Sequence, residues 1–358
     1  MPVKAPRKII ELIAGSYTSG DSRGVYRFGY NTQTQSFSQP TLLTEMKNPS
    51  FGALRKDATR MYFVEEGRAG QVRSFGKSAE NTSITEINAL SSQGEHPCYV
   101  SLSPNEQHLA VANYSSGNVA VFKLNADGAL VEDPTVLQHK GHGPNTERQK
   151  GPHAHWAQWD PQARFLYAVD LGTDEVIAYP FNPSSGHIGT GFTALKADPG
   201  SGPRHMVFHP THNWAYLINE LTNQIVFATR DRDGRLKTVQ QISTLPDDFE
   251  GPSQGAHIAI NNAGTRLYSS NRGHDSITVF EIANNGKLKT IQHIATQGHW
   301  PRFFLLLEDD RLLLVANERS NNVVALQVNA QGMLGRTGQS ININQPTFMS
   351  TFSSTVVH

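Results

Sequence analysis

The sequence predicts an all-β chain: a seven-bladed β-propeller closed by pairing of its N- and C-terminal strands. Three observations carry this. A strand–turn–strand unit recurs, a proline-opened strand precedes most copies, and the two chain ends hold complementary fragments of one unit.

The recurring unit is a short apolar strand ending in Asn or Asp, then a turn and a second strand. It reads "LAVANYSSGNVAVFKL" from Leu109, "LYAVDLGTDEVIAYPF" from Leu166 and "AYLINELTNQIVFATR" from Ala215. It returns as "LYSSNRGHDSITVFEI" from Leu267 and "LLVANERSNNVVALQV" from Leu313, with weaker copies from Met61 and Glu11. The copies lie about fifty residues apart, a spacing that marks propeller blades. Alternation is period two, with many β-branched and aromatic residues, and no long helical pattern appears. Second strands run into "NADG", "DRDG", "NNGK" and "NAQG", whose Asn, Asp and Gly suit the positive φ of tight turns.

The strand before each copy opens with proline in "NPSFGAL", "HPCYVSL", "GPRHMVF" and "WPRFFLLL". The copy at Glu11 lacks such a strand, and "QPTFMSTF" from Gln345 has no copy after it. Pairing these two fragments would close the ring and leave no open edge. Residues 1–358 are therefore expected to form one propeller domain.

Composition narrows the function. Basic and acidic residues balance at 31 each, so no long-range field favours nucleic acid or an anionic membrane as partner. No stretch nears the roughly 20 apolar residues of a membrane span. Glu11 interrupts the only apolar run near the start, so no signal peptide is read and a cytoplasmic location is expected. Cys98 is the sole cysteine, which rules out an intrachain disulfide and a Cys-based zinc site. Oligomeric state is not legible.

Registering the copies gives two columns. Fifteen positions before the terminal Asn or Asp stand Ser50, Cys98, His155, Arg204, Ala256, Arg302 and, by its place in the closing strand, Thr347. Just after it stand Ser16, Glu66, Tyr114, Leu171, Glu220, Arg272 and Glu318. In antiparallel neighbours the start of one strand lies beside the end of the next, so both columns are expected at one end of the propeller. Charge gathers in consecutive blades: His153 and His155, Arg204 and Glu220, Arg272, then Arg302 and Glu318. Converging guanidiniums suit an anionic ligand, while Glu220 and the histidines can move a proton near neutral pH.

Plainer accounts compete. A structural salt bridge would explain Arg204 and Glu220. The column Asn113, Asp170, Asn219, Asn271 and Asn317 reads as strand-end scaffolding. Asp160, His209 and Asn261 read as turn formers, and His212 and His274 as surface or turn residues. No base pairs with Cys98 by spacing, so it reads as a buried thiol. "GPHAH" lacks a third ligand at metal-binding spacing, so no metal and no cofactor are expected. The polar loop "HKGHGPNTERQKGPHAH", His139 to His155, breaks the repeat. Loops of this length are commonly functional or mobile, and Asn145, Arg148 and Gln149 are expected to fold over the channel mouth and contact substrate, with Arg302 and Glu318.

The residues "GPN..RQ..PHAH", "GSGPRH..FHP......NE", "LYSSNRGHDSI.VF" and "PR.F.......LLVAN..S.NV" resemble the seven-bladed propeller lactonase family. That family includes bacterial propeller-type 6-phosphogluconolactonases and fungal carboxy-cis,cis-muconate cyclases. The resemblance runs over nearly the whole chain. It implies a pocket lined by a histidine of "PHAH" (His153 or His155), Arg204, Glu220 and Arg272. One departure is His257, where family members often carry an acid. The expected activity is metal-independent hydrolysis of an anionic sugar lactone, 6-phosphogluconolactone first. A muconate-type cycloisomerase and a non-catalytic binding propeller are the alternatives.

Overall fold

The computed structural model describes residues 9–78 and 83–352. Among them lie seven antiparallel sheets, six of four strands, each running as a meander, and one of five. The chain divides into two compact units, Ser50–Ile242 and Met1–Pro49 with Ser243–His358.

In the first unit, blades begin with the strands Gly52–Leu54, Pro97–Leu102, Ala154–Trp159 and Pro203–Phe208. In the second they begin with Gln254–Ile260, Pro301–Leu307 and Pro346–Thr351. The last of these pairs with Ile9–Ser16, from Leu12 opposite Thr351 to Ser16 opposite Pro346. One sheet is thus built from both ends of the chain, as the complementary fragments predict. Its outer edge is split, with Ser36–Phe37 and Thr41–Glu45 pairing successive parts of Gly24–Asn31.

Proline suits the first position of a strand because it has no N–H to offer a ladder. The residue before it is unusual here. Asn48, His96, Gly202, Trp300 and Gln345 all have φ between 43° and 65°. Gly, Asn and His tolerate this left-handed conformation, whereas a bulky indole at Trp300 is an outlier.

The turn glycines behave as their chemistry requires, and they also join blades. Gly128, Gly234 and Gly332 have φ of 92°, 83° and 77°. Their carbonyls accept hydrogen bonds from the hydroxyls of Tyr62, Tyr167 and Tyr268, each from the blade before, at 3.1, 2.8 and 2.8 Å. A buried tyrosine needs such a partner for its polar tip. Within the second unit, Tyr268, Ile277, Val279, Phe304, Leu313 and Val315 form part of one apolar cluster. Within the first, the rings of Trp156 and Tyr167 meet Phe208 from the next blade, with centroids 6.3 and 5.3 Å apart.

Candidate active site

Six of the seven first-column residues, all but Ser50, sit at β-bulges. Pro97 pairs with Asn113 and Tyr99 with Ala112, which leaves Cys98 as the extra residue. The same shift isolates His155, Arg204, Arg302 and Thr347 in their blades. In another blade Ala256 and His257 together face Ser270. A bulge bends the strand and re-aims the side chain it carries, and such kinks are common beside active sites.

The second column begins just past the strand end, where the backbone N–H of Glu220 donates to Gly202 O at 2.7 Å. This returns Glu220 to the bulged start of its own blade. Arg204 Nε donates to Glu220 Oε2 at 3.1 Å. Each residue is only 2 % exposed, so this is a buried ion pair and not an exposed rim pair. A second guanidinium shares the carboxylate: Arg148 Nη2 donates to Glu220 Oε1 at 2.6 Å and to Tyr114 Oη at 3.2 Å. Burial opposes the charge on Arg148, but the Glu220 carboxylate and these hydrogen bonds outweigh it and hold its pKa above the usual value. Burial raises Tyr114, although Arg148 pulls the other way. Two cations on one anion leave a surplus positive charge.

The histidines differ. His153 Nδ1 lies 2.9 Å from the carbonyl of Tyr114, an acceptor, so Nδ1 carries the proton. The His153 ring stacks on Tyr114 with centroids 4.4 Å apart and planes at 13°. Its backbone N–H donates to Asp170 Oδ1 at 2.8 Å. His155 is buried, edge-on to Tyr114, and its Nδ1 lies 3.7 Å from Cys98 Sγ. Cys98 thus has an imidazole beside it that spacing alone does not reveal, since 57 residues separate the two.

The loop delivers Arg148, and its other polar groups shape it. Gln149 is fully buried; its Nε2 donates to Leu171 O and Asp174 Oδ1 at 2.8 and 2.7 Å, and its Oε1 accepts from Asn145 N at 3.1 Å. Asn145 Oδ1 closes a turn by accepting from the N–H groups of Glu147 and Arg148. The loop start is tied down where His139 Nδ1 meets Asp170 Oδ2 at 2.6 Å, both side chains buried. Gln149 therefore stands as a buried support of the loop, away from the direct substrate contact expected of it, while half-buried Asn145 caps the turn that carries Arg148.

The strand-end Asn and Asp residues are scaffold as expected: Asn113, Asn271 and Asn317 donate through Nδ2 to the carbonyls of Ser92, Thr244 and Thr296. Asp160, His209 and Asn261 accept from backbone N–H groups of their own turns. Exposed His212 is a turn residue. His209 is buried and His274 half-buried, and both serve turns, His274 within the turn between two strands of its blade.

In the second unit, Arg272 is buried, donates to Gly255 O at 2.9 Å and lies over Trp300. Arg302 Nη1 is 3.7 Å from Glu318 Oε2, and its guanidinium lies over Tyr17. His257 packs on Phe303 with centroids 4.3 Å apart. Among the described residues, no group of three His, Cys, Asp or Glu side chains is arranged to hold a metal ion. No described helix is long and apolar enough to cross a membrane.

The fold is a bladed all-β one, and it holds a buried arginine–carboxylate cluster beside a histidine whose Nδ1 meets a backbone carbonyl. The family model described as "Lactonase, 7-bladed beta-propeller" matches residues 11–351, and the chain belongs to that family. It is 35 % identical over 316 residues to a Bacillus subtilis protein named 6-phosphogluconolactonase, covering 87 % of this chain and 89 % of that protein. The structure named as the periplasmic gluconolactonase of Pseudomonas aeruginosa is similar, with a TM-score of 0.89, 28 % identity and coverage of 96 % and 98 %. A protein from Lactobacillus plantarum is also similar, with a TM-score of 0.88, 29 % identity and coverage of 95 % and 98 %.

Proposed function

We propose that the protein hydrolyses an anionic sugar lactone, 6-phosphogluconolactone first among them, without a metal. The observation that carries the reading is the His153 tautomer. Because Nδ1 is committed to the Tyr114 carbonyl, Nε2 bears the lone pair and can take a proton from water. The surplus charge of Arg148 and Arg204 over Glu220 supports the choice of an anion. Guanidinium N–H groups bind carboxylate and phosphate bidentately, and they stabilise the oxyanion that forms when water adds to the lactone carbonyl. Collapse of the tetrahedral intermediate breaks the ring C–O bond, and the proton on His153 goes to the departing alkoxide. Glu220 has an oxygen on each arginine, so its part is to hold the two guanidiniums. Arg272 enters the same proposal on the family resemblance.

The Bacillus relative's name supports the phosphorylated substrate, and the Pseudomonas neighbour's name supports an unphosphorylated one. The test is acid release from both lactones with spontaneous hydrolysis subtracted. His153→Ala should lower kcat on the order of 10²-fold with the melting temperature unchanged. Equal turnover by this variant would remove His153 as the base. Activity should also survive exhaustive EDTA treatment; loss restored by calcium or zinc would overturn the metal-free scheme. A cytoplasmic site of action belongs to the same proposal and is checked by cell fractionation. Product analysis with a muconolactone separates the cycloisomerase alternative.

A further inference from the structure

The place just after the strand end holds Ser16, Glu66, Tyr114, Leu171, Glu220, Arg272 and Glu318. No common size, charge or polarity runs through them, so the blade repeat does not ask for a ring at Tyr114. Its surroundings do. The residue is half-buried, and its backbone N–H donates to His96 O at 2.9 Å, which ties it to the start of its own blade. Its carbonyl takes the proton of His153 Nδ1 at 2.9 Å, and its ring lies against the same imidazole, 4.4 Å between centroids and 13° between planes. A carbonyl contact alone would let the imidazole turn about the hydrogen bond. A parallel ring face stops that turning. The carbonyl therefore selects the tautomer, and the ring sets the plane in which Nε2 presents its lone pair.

The third part of Tyr114, its hydroxyl, accepts from Arg148 Nη2 at 3.2 Å, and Glu220 Oε1 accepts from the same nitrogen at 2.6 Å. Both hydrogen bonds of this side chain run through Nη2, so its Nε and Nη1 N–H groups have no partner among the described residues. The two protons of Nη2 lie in the guanidinium plane, and two acceptors on them fix that plane. We propose that Tyr114 is a positioning residue: it holds the His153 imidazole and the Arg148 guanidinium in one fixed arrangement, with Nε2 on the attacking water and the outward N–H groups of Arg148 on the anionic group of the lactone. This rests on the lactonase reading of the same cluster and adds the residue that couples its base to its cation.

Two variants separate the two holds. Tyr114→Phe removes the hydroxyl and keeps the ring and the carbonyl. Its kcat/KM should fall about 3- to 10-fold, mainly through KM, with the melting temperature within a few degrees of native. In an Arg148→Ala background the same change should cost nothing further, because the hydroxyl acts through that guanidinium. Tyr114→Leu also removes the ring, and leucine already stands at this place in the next blade, at Leu171. Its kcat should fall about 10- to 100-fold below that of Tyr114→Phe, because the imidazole is no longer held in plane. Native kinetics in Tyr114→Phe, an equal loss in both backgrounds, or a Tyr114→Leu kcat matching that of Tyr114→Phe overturns the proposal. A readout independent of turnover is the ¹⁵N spectrum of the His153 ring, which should show the Nδ1–H tautomer alone in the native protein and in Tyr114→Phe, and both tautomers in Tyr114→Leu. If the native protein hydrolyses no lactone, the functional reading fails, and this spectrum decides the positioning role. A single Nδ1–H tautomer kept in Tyr114→Leu then rejects it.

Discussion

Arg148 and Glu220, 72 residues apart, meet at 2.6 Å, and this contact fastens a loop between two blades onto the buried carboxylate of a third. Glu220 already holds Arg204, so two cations share one carboxylate. Glu220→Gln would leave the buried Arg204 guanidinium without its counter-charge. Removing one member of a buried pair typically costs about 3–5 kcal/mol. The melting temperature should fall on the order of 10 °C, with kcat/KM down about 10²-fold or more. Arg148→Ala is milder, because its side chain is 32 % exposed. It should cost about 1 kcal/mol and lower kcat/KM about tenfold. A thermal melt of Glu220→Gln that overlays the native one would show that the pair does not hold the fold.

The burial of that pair is where sequence and structure part. Strand-end position placed Arg204 and Glu220 together correctly, since antiparallel neighbours bring start and end to one side. An exposed pair and a buried one have the same spacing, however, and differ in energy by several kcal/mol. The bulges were hidden for a related reason. Fifteen-residue registration found Cys98, His155, Arg204 and Arg302, but an extra residue in a ladder leaves no mark in an alternation pattern. Proline-opened strands, turn glycines and the closing fragments were legible because backbone chemistry dictates them. The His153 tautomer and the Cys98–His155 contact depend on loop path and bulge direction, which residue types do not specify.

Trp300 offers a test of the strained pre-proline position. Its φ is 65°, where other blades carry Asn48, His96, Gly202 and Gln345. Its ring lies under Arg319, 3.4 Å from guanidinium to centroid. Trp300→Asn loses that stacking, worth about 0.5–1 kcal/mol, and relieves backbone strain of about 1–2 kcal/mol. Stability should change by no more than about 1 kcal/mol. Trp156→Ala, at a fully packed site, should cost about 3–5 kcal/mol. Urea unfolding of both variants checks this, and comparable losses would mean the left-handed position carries no strain.

Acid should weaken the fold before the carboxylates titrate. Burial lowers the pKa of His274 and His293, the second also through its neighbour His274, and Asp248 pulls both the other way without prevailing. Burial and Lys123 lower His108. Below pH about 6.5 the unfolded chain binds protons that these folded sites resist, so unfolding takes up protons. Stability is full above that value and is lost as pH falls towards the depressed folded values. Urea midpoints should decline from pH 7 to 5, and His293→Gln should flatten the slope. A flat native profile over that range would contradict the burial account.

Removing residues from Gln345 onward deletes the strand that pairs with Ile9–Ser16. The first sheet would then present a bare edge, and such edges invite association with other chains. The truncated protein should aggregate or melt markedly lower. A truncated protein that stays monodisperse with a native melt would show the seam to be dispensable.

That seam also sets a schedule. Thr347 donates through Oγ1 to Gly15 O across 332 residues of chain. A ribosome adding about 5–20 residues per second needs about 15 to 70 s to span such a distance. For that whole interval the strand Ile9–Ser16 waits on the nascent chain with one side unzipped. The strand Pro346–Thr351 completes a sheet whose partner strand left the exit tunnel more than 300 residues before it, so that sheet cannot close in the order in which it is made. An edge left unpaired that long is exposed to association with other chains, so the closing of the seam is timed by synthesis and not by local folding.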